Sequence, residues 1–299
     1  MIDYRESITS KLCAFARAWH SNKARSKIFD DYLAFDFMGI DEYQEIYELI
    51  RRGFQEDGEL NSPEYVDGII NEYLSPIPLS RANFCEKRLE EYAKEHGEIQ
   101  YVILGAGNDT YSFRCSNSNI KIFEIDHPMT QASKLRKIRK LKWNIPNNVR
   151  FVSVDFEKER MGEKLLAAGF NPSRKAFFSI LGVSYYLTLS VFTDTIAQIS
   201  DLSCMGSALA FDFPLRTGVF PPRVKWLEQL THSLGEEMRG GFTYPEVSRL
   251  LFFLGFQIDE YLSPEAVQSR YFSARTDGMM AFENVSMLSA VFTGSNLVE

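Results

Sequence analysis

From residue 99 onward the sequence alternates short apolar runs with helical stretches, and this alternation restricts the fold more than any other feature. Strand-like runs occupy 100–104, 120–126 ("IKIFEID"), 150–154 ("RFVSV"), 176–181 ("AFFSIL") and 207–213 ("SALAFDF"). Helical stretches over 128–143, 157–168 and 190–203 lie between them. Such alternation predicts a parallel sheet covered on both faces. Ligands bind such sheets beyond the carboxyl ends of the strands, where the strand order reverses. The end of the chain departs from the pattern. "YPEVSRLLFFLGFQIDEYL" reads as a helix, a glycine turn and a strand, and "VSMLSAVF" as a last strand. Two late strands joined by a long excursion fit an antiparallel closing hairpin better than a plain dinucleotide fold.

Residues 1–98 read as helical. "ITSKLCAFARAWH" and "EYQEIYELIRRGF" carry apolar residues at three- and four-residue spacing, and "NSPEYVDGIINEYL" opens on a helix-start signal. "SPIPLS" reads as a break, with Ser80 capping "RANFCEKRLEEYAKE" and Gly97 ending it. The expected organisation is a helical cover over 1–98 and a catalytic domain over 99–299. A Pro- and Gly-containing substrate-side insertion of helix and loop lies at 214–245. With 45% hydrophobic and 14% aromatic residues, the chain can bury a sizeable core and still line an apolar ligand site.

Charge and cysteines exclude several classes. A net charge of −7 makes the chain a poor general binder of nucleic acid. The basic stretch "SKLRKIRKLKW" (133–143) reads as one solvated helix face. The longest apolar-rich window, "AFFSILGVSYYLTL", is too short to span a bilayer, and the N-terminus carries no signal-peptide pattern. Cys13, Cys85, Cys115 and Cys204 form no CxxC and have no close histidine. They argue against a metal site and fit a reduced, cytoplasmic protein.

The first strand runs into a glycine turn in "YVILGAGNDTYSFRC" (101–115). Gly105 permits a tight turn and Gly107 permits close backbone approach to a ligand. The Lys-Ser/Thr of a phosphate loop is absent, and Thr110 stands where a dinucleotide fingerprint needs its third glycine. Acids close the next two strands. Glu124 and Asp126 in "FEIDHP" share one face, and one of them is placed to accept from ribose hydroxyls. Asp155 in "VSVDFE" could accept from an adenine amino group, with Phe156 against the ring. Any one of these acids could instead be a helix N-cap, but three strand-end sites are harder to explain that way. His20 and His232 are candidate bases, while His96 and His127 sit beside helix ends as structural residues.

In this order, "ILGAGNDTYSFR", "FEIDHP", "VSVDFE" and "ILGVSYYLT" resemble the motifs of the leucine carboxyl methyltransferase family. The similarity is closest to its bacterial branch of small-molecule O-methyltransferases. "ARA" (16–18), "IFDDYLA" (28–34) and "RYF" (270–272) fit that branch as well. The resemblance covers nearly the whole chain. It implies a class I S-adenosyl-L-methionine-dependent methyltransferase fold: α/β and Rossmann-like, with a seven-stranded mostly parallel sheet, an antiparallel last strand and an N-terminal helical cover.

Carried over by position, Gly105, with Ala106 and Gly107, lies at the methionine part of the cofactor. Asp126 holds the ribose, and Asp155 and Phe156 hold the adenine. Arg81 pairs with the cofactor carboxylate, and Arg17 is a looser match to a second basic position. Two positions depart from the pattern. Leu181 stands where the family often has Glu, and Tyr111 where Arg commonly follows the glycine motif. Asp109, or carbonyls near Gly105, would then receive the cofactor's amino group. The implied reaction is methyl transfer to a carboxylate or acidic hydroxyl of a small molecule, polyketide-type metabolites being the acceptors of this branch. No base is secure. His20, His232 and Tyr185 are the candidates, and Tyr185 and Tyr186 are expected as walls of the acceptor pocket. A protein C-terminal carboxylate as acceptor, or a fold that keeps a ligand and has lost catalysis, are the competing readings.

Overall fold

A computed structural model describes residues 7–53, 62–156, 158–216, 218 and 221–294. Phe54, Asn61 and Glu157, which belong to expected helices, lie outside the described residues, as do 217 and 219–220 of the expected insertion.

The N-terminal third is helical: α1 (Ile8–Lys23), α2 (Ala34–Met38), α3 (Ile40–Gly53), α4 (Pro63–Ile69) and α5 (Pro76–His96). Ser62 caps α4, accepting from the Tyr65 N–H, with Pro63 in the first turn. A π-helical turn at Ile70–Leu74 joins α4 to α5. The "SPIPLS" segment is therefore not a break. First-turn N–H groups have no intrahelical partner, so Pro76 and Pro78 remove nothing there. Ser80 is no cap either; its hydroxyl donates back to the Pro76 carbonyl at 2.6 Å. Starting earlier carries Arg81 past the first turn and onto the sheet side of α5. Gly97 ends the helix at φ 73°, its N–H on the Ala93 carbonyl.

Seven strands follow: β1 (Ile99–Leu104), β2 (Ile120–Asp126), β3 (Val149–Ser153), β4 (Ala176–Ile180), β5 (Ala208–Pro214), β6 (Phe256–Leu262) and β7 (Val285–Phe292). They form one sheet in the order β3-β2-β1-β4-β5-β7-β6. The neighbouring pairs among β1–β5 are parallel, and β7 runs antiparallel to both β5 and β6. β1, β4 and β5 are buried along their whole lengths, so their sequences are continuous apolar runs and do not alternate. The strand order reverses between β1 and β4, which opens a crevice at their carboxyl ends.

The remaining helices are α6 (Tyr111–Arg114), α7 (Pro128–Leu141), α8 (Met161–Ala167), α9 (Leu189–Asp201), α10 (Pro222–Ser233), α11 (Tyr244–Phe253) and α12 (Pro264–Val267). Lys142, at φ 56°, stops α7 in a left-handed cap. The basic face of α7 is only partly solvated. Arg136, Arg139 and Lys140 are exposed, whereas Lys134 is buried against Glu124. One sheet face packs Phe178, Phe192 and Phe211, and the other packs Leu89, Phe177 and Met287. The cover helices have their own core of Phe15, Trp19, Ile46 and Ile70, onto which Trp226 and Leu230 of α10 pack. The cover and the 222–233 helix thus meet above the strand ends.

Candidate active site

A cavity of about 310 Å³ opens at the carboxyl ends of β1 and β4. The loop from Gly105 to Asp109 forms one side, with Asp126, His127 and Phe156 beside it. Ser10, Cys13 and Arg17 of α1 face that loop, and Arg81 reaches in from α5. Leu181, Gly182, Val183, Tyr185 and Tyr186 line the β4 side. Leu12, Tyr73, Ile77, Leu227 and Met238 make the remainder largely apolar.

Both loop glycines have positive φ, 71° at Gly105 and 46° at Gly107. Their missing side chains do not face open cavity. A Cβ on Gly105 would run into Val183, and one on Gly107 into the Ser10 hydroxyl. The expectation that Gly107 simply clears a ligand's path is corrected: the space is taken by α1. Ser10 Oγ accepts from the Asn108 N–H at 2.9 Å, so the cover is bonded to the glycine turn.

The strand-end acids separate. Asp126 lines the cavity, and its carboxylate accepts from the Gly107 N–H and, at 2.7 Å, from the His127 N–H. Burial pushes its pKa up, against the pull of these two N–H groups. Glu124 lies deeper, accepting from Ser112 Oγ and Lys134 Nζ, and does not reach the cavity. Asp155 does not line it either. Its carboxylate pairs with Lys158 at 2.7 Å and sits 4.0 Å from His127 Nε2, while Phe156 does line the cavity. Asp109 lines it and accepts from the Tyr111 N–H at 2.6 Å. Burial alone would raise the Asp109 pKa; Arg17, Arg114 and Lys134 outweigh it and hold the carboxyl below its ordinary value.

The two cavity arginines are both anchored. Arg17 donates from Nε to Asp31 at 2.9 Å and from NH2 to the Asn108 carbonyl at 2.8 Å. Arg81 NH1 lies 3.4 Å from Asp212, and NH2 lies 3.4 Å from Cys13 Sγ. Burial works against the Arg81 charge, but the Asp212 carboxylate more than restores it and keeps the guanidinium protonated. Sequence reasoning missed Asp212. The signal was available: "ALAFDF" carries an acid near the end of a strand, much as "FEID" does at Asp126.

Of the three candidate bases, Tyr185 lines the cavity and His20 and His232 do not. Tyr185 donates its phenolic proton to Asp212 at 2.8 Å, and burial with that neighbouring charge drives its pKa well up. Tyr186 donates to Thr9 Oγ1 at 3.2 Å. His232 is exposed on α10 and lines no part of the cavity. His20 is buried near the far end of α1, where its Nε2 accepts from the Ile28 N–H at 2.9 Å. It faces a different cleft, beside Arg275 and Asp277. Burial first, then the Arg275 charge, lowers its pKa from 6.5 to about 4. The folded state thus binds fewer protons than the unfolded state between these values. His20 contributes stability that is complete above pH 6.5 and is lost as pH falls toward about 4. Wild type should lose on the order of 1–2 kcal/mol more than His20→Gln between pH 7 and pH 5. Denaturant titrations at the two pH values check this; equal losses would mean that His20 stays protonatable in the fold.

One carboxylate joins the cover to the 234–243 segment. Glu236 accepts from the Ile8 N–H at 2.6 Å, from Ser7 Oγ at 3.1 Å and from Thr9 Oγ1, which holds the start of α1 over the cavity. Among the described residues no helix is long and apolar enough to cross a membrane, and no group of three or more His, Cys, Asp or Glu could hold a metal ion.

A family model described as leucine carboxyl methyltransferase matches residues 10–200. The chain is 37% identical to YktD of Bacillus subtilis (strain 168) over 304 residues, 95% of this chain and 97% of that protein. YktD carries a provisional name as an S-adenosyl-L-methionine-dependent methyltransferase. A Mycobacterium tuberculosis (strain H37Rv) protein, Rv0830, provisionally named in the same way, is 30% identical over 129 residues, 43% of this chain and 42% of its own. Among solved structures, a DUF574 family protein from Streptomyces avermitilis superposes at a TM-score of 0.58 with 12% identity, covering 98% of this chain and 100% of that one. A Thermobifida fusca protein, provisionally titled a methyltransferase, gives 0.57 with 16% identity over 83% of this chain and 94% of its own. These two likenesses concern the fold. The whole-length relative and the family match together settle kinship: the chain belongs to the leucine carboxyl methyltransferase family of S-adenosyl-L-methionine-dependent methyltransferases.

Proposed function

We propose that this chain methylates an oxygen, a carboxylate or an acidic hydroxyl, on a small and largely apolar molecule. One observation carries the reading. Away from the side formed by Asp109, Asp126 and His127, the cavity lining is apolar apart from hydroxyls, Cys13 and the anchored Arg81, and among the described residues no histidine or carboxylate lines that part. An acceptor that is already ionised at neutral pH needs no base; an alcohol would.

The residues fit the cofactor. Asp126 keeps lone pairs beyond those used by the Gly107 and His127 N–H groups, and these suit ribose hydroxyls. Phe156 offers a face for the adenine, and Arg81 suits the cofactor's carboxylate. Arg17 braces the loop beside it. Asp109 and the carbonyls near Gly105 suit the amino group that Leu181 cannot receive. Asp155, paired with Lys158 through Oδ2 and outside the cavity lining, would have to shift toward the site to meet adenine. Bound S-adenosyl-L-methionine supplies an electrophilic methyl group on a sulfonium. The chain contributes alignment and exclusion of water: the 1–98 cover and the 214–245 segment close the site, and Tyr185 and Tyr186 wall the acceptor. We place the enzyme in the cytoplasm and among small-molecule methyltransferases, including those of polyketide-type metabolites.

The test has two stages. Calorimetry with S-adenosylhomocysteine, NAD and ATP should give micromolar binding of the first alone. Labelled methyl transfer to a panel of apolar monocarboxylic acids and acidic phenols should then give a product. Methyl esters release methanol in mild base and aryl ethers do not, which separates the two acceptor classes. Cofactor binding with transfer to none of them would favour a ligand-binding protein that has lost catalysis.

A further inference from the structure

Both cavity arginines are held from behind by an aspartate that does not itself line the cavity, Asp31 for Arg17 and Asp212 for Arg81. The second pair is the more consequential, because Asp212 binds more than the arginine. It is fully buried near the carboxyl end of β5. Its Oδ1 accepts from the Gly182 N–H at 2.7 Å, and its Oδ2 accepts from Tyr185 at 2.8 Å as well as facing Arg81. Its backbone carbonyl accepts from Ser184 Oγ at 2.6 Å. One residue therefore ties down three members of the Gly182–Tyr185 turn and the guanidinium that lies against it. Gly182 is at φ 71°, and a Cβ there would strike the Arg81 guanidinium itself. The arginine is thus fitted into a seat made by a bare glycine on one side and a carboxylate on the other. Val183 of the same turn packs where a side chain on Gly105 would lie, so the seat is continuous with the glycine loop.

We infer that Asp212 is a positioning residue for methyl transfer, orienting Arg81 and the Gly182–Tyr185 turn toward the cofactor. The inference rests on the cofactor reading above. Two effects oppose each other. Asp212 neutralises part of the Arg81 charge, which weakens its attraction for an anion. It also fixes a long side chain that would otherwise be ordered only on binding, and it leaves further guanidinium N–H groups for the ligand. In a buried setting the second effect dominates, since a buried cation without its partner is displaced toward water and no longer presents a fixed fork.

The experiment is a double-mutant cycle on the full chain with Asp212→Asn and Arg81→Ala, read by S-adenosylhomocysteine calorimetry and by thermal melting. Asp212→Asn should weaken binding about tenfold in the wild-type background. In the Arg81→Ala background it should change affinity less than about twofold, because its effect passes through the arginine. It should also raise the melting temperature of Arg81→Ala, whose Asp212 is left buried without its cation. This second readout stands even if Asp212→Asn alone does not fold. Equal factors in both backgrounds, wild-type affinity in Asp212→Asn, or no melting rescue would overturn the positioning role. Absence of binding by the wild-type chain would instead bring down the cofactor reading beneath it.

Discussion

Gly107→Val is expected to abolish measurable binding of S-adenosylhomocysteine, an effect of more than about a hundredfold, while the sheet stays folded. Two costs combine at this residue. Its φ of 46° is a left-handed conformation that a β-branched side chain resists. Its Cβ would also collide with the Ser10 hydroxyl, which is bonded to the Asn108 N–H. The chain can relieve the collision only by lifting α1 or by displacing the turn, and either change opens the cavity. The strain falls on Gly107 and Ser10, beyond the end of β1 and outside the clusters that pack the sheet, so the melting transition should remain cooperative. Gly107→Ala with Ser10→Gly separates the two costs. The pair should recover part of the binding lost in Gly107→Ala alone, because the collision is removed and the backbone strain is not. No recovery would mean that the Cβ meets the ligand directly and that α1 is irrelevant.

Asp126→Ala should weaken cofactor binding by about 3 kcal/mol, roughly a hundredfold. A carboxylate that accepts from ribose hydroxyls contributes charge-assisted bonds, and these are lost. The same substitution leaves the Gly107 and His127 N–H groups without their acceptor, so the glycine turn loses its tie to β2. Asp126→Asn should fall between the two, keeping an acceptor oxygen while placing an amide donor where a ribose hydroxyl donates. Calorimetry at fixed ionic strength measures both. Unchanged affinity in Asp126→Ala would move the ribose elsewhere. Glu124 would not be the replacement, since Ser112 and Lys134 already occupy its carboxylate in the interior.

The strands, most helices and the glycine turn were legible because their signals are local. A parallel strand buried on both faces is an unbroken apolar run, as in "YVIL" and "AFFSI", and a turn with positive φ needs glycine wherever it occurs. An acid at the end of β2 was legible for the same reason, but the local signals left Glu124 and Asp126 open and only the family resemblance singled out Asp126, which lines the cavity. The misjudged positions depended on what the chain brings alongside them. Ser80 reads as a cap until Pro76 and Pro78 are seen to fit a first helical turn. Asp155 stands just past its strand much as Asp126 ends its own, yet its carboxylate pairs with Lys158 and lies outside the cavity lining. His20 reads as a base until Ile28 turns back to donate to it and Arg275 adds its charge.

By itself, then, the sequence determined the alternating architecture, the antiparallel close, the glycine turn and the family. Each of these is written in the order and spacing of residues within a few turns of chain. Tertiary structure alone decided which side chains share the cavity and how they are held. Arg81 meets Asp212 across 131 residues, and the Ile8 N–H meets Glu236 across 228. Those meetings follow from strand order and from how the cover docks. Periodicity carries no record of either, because a buried charge takes its partner from whatever the folded chain places beside it.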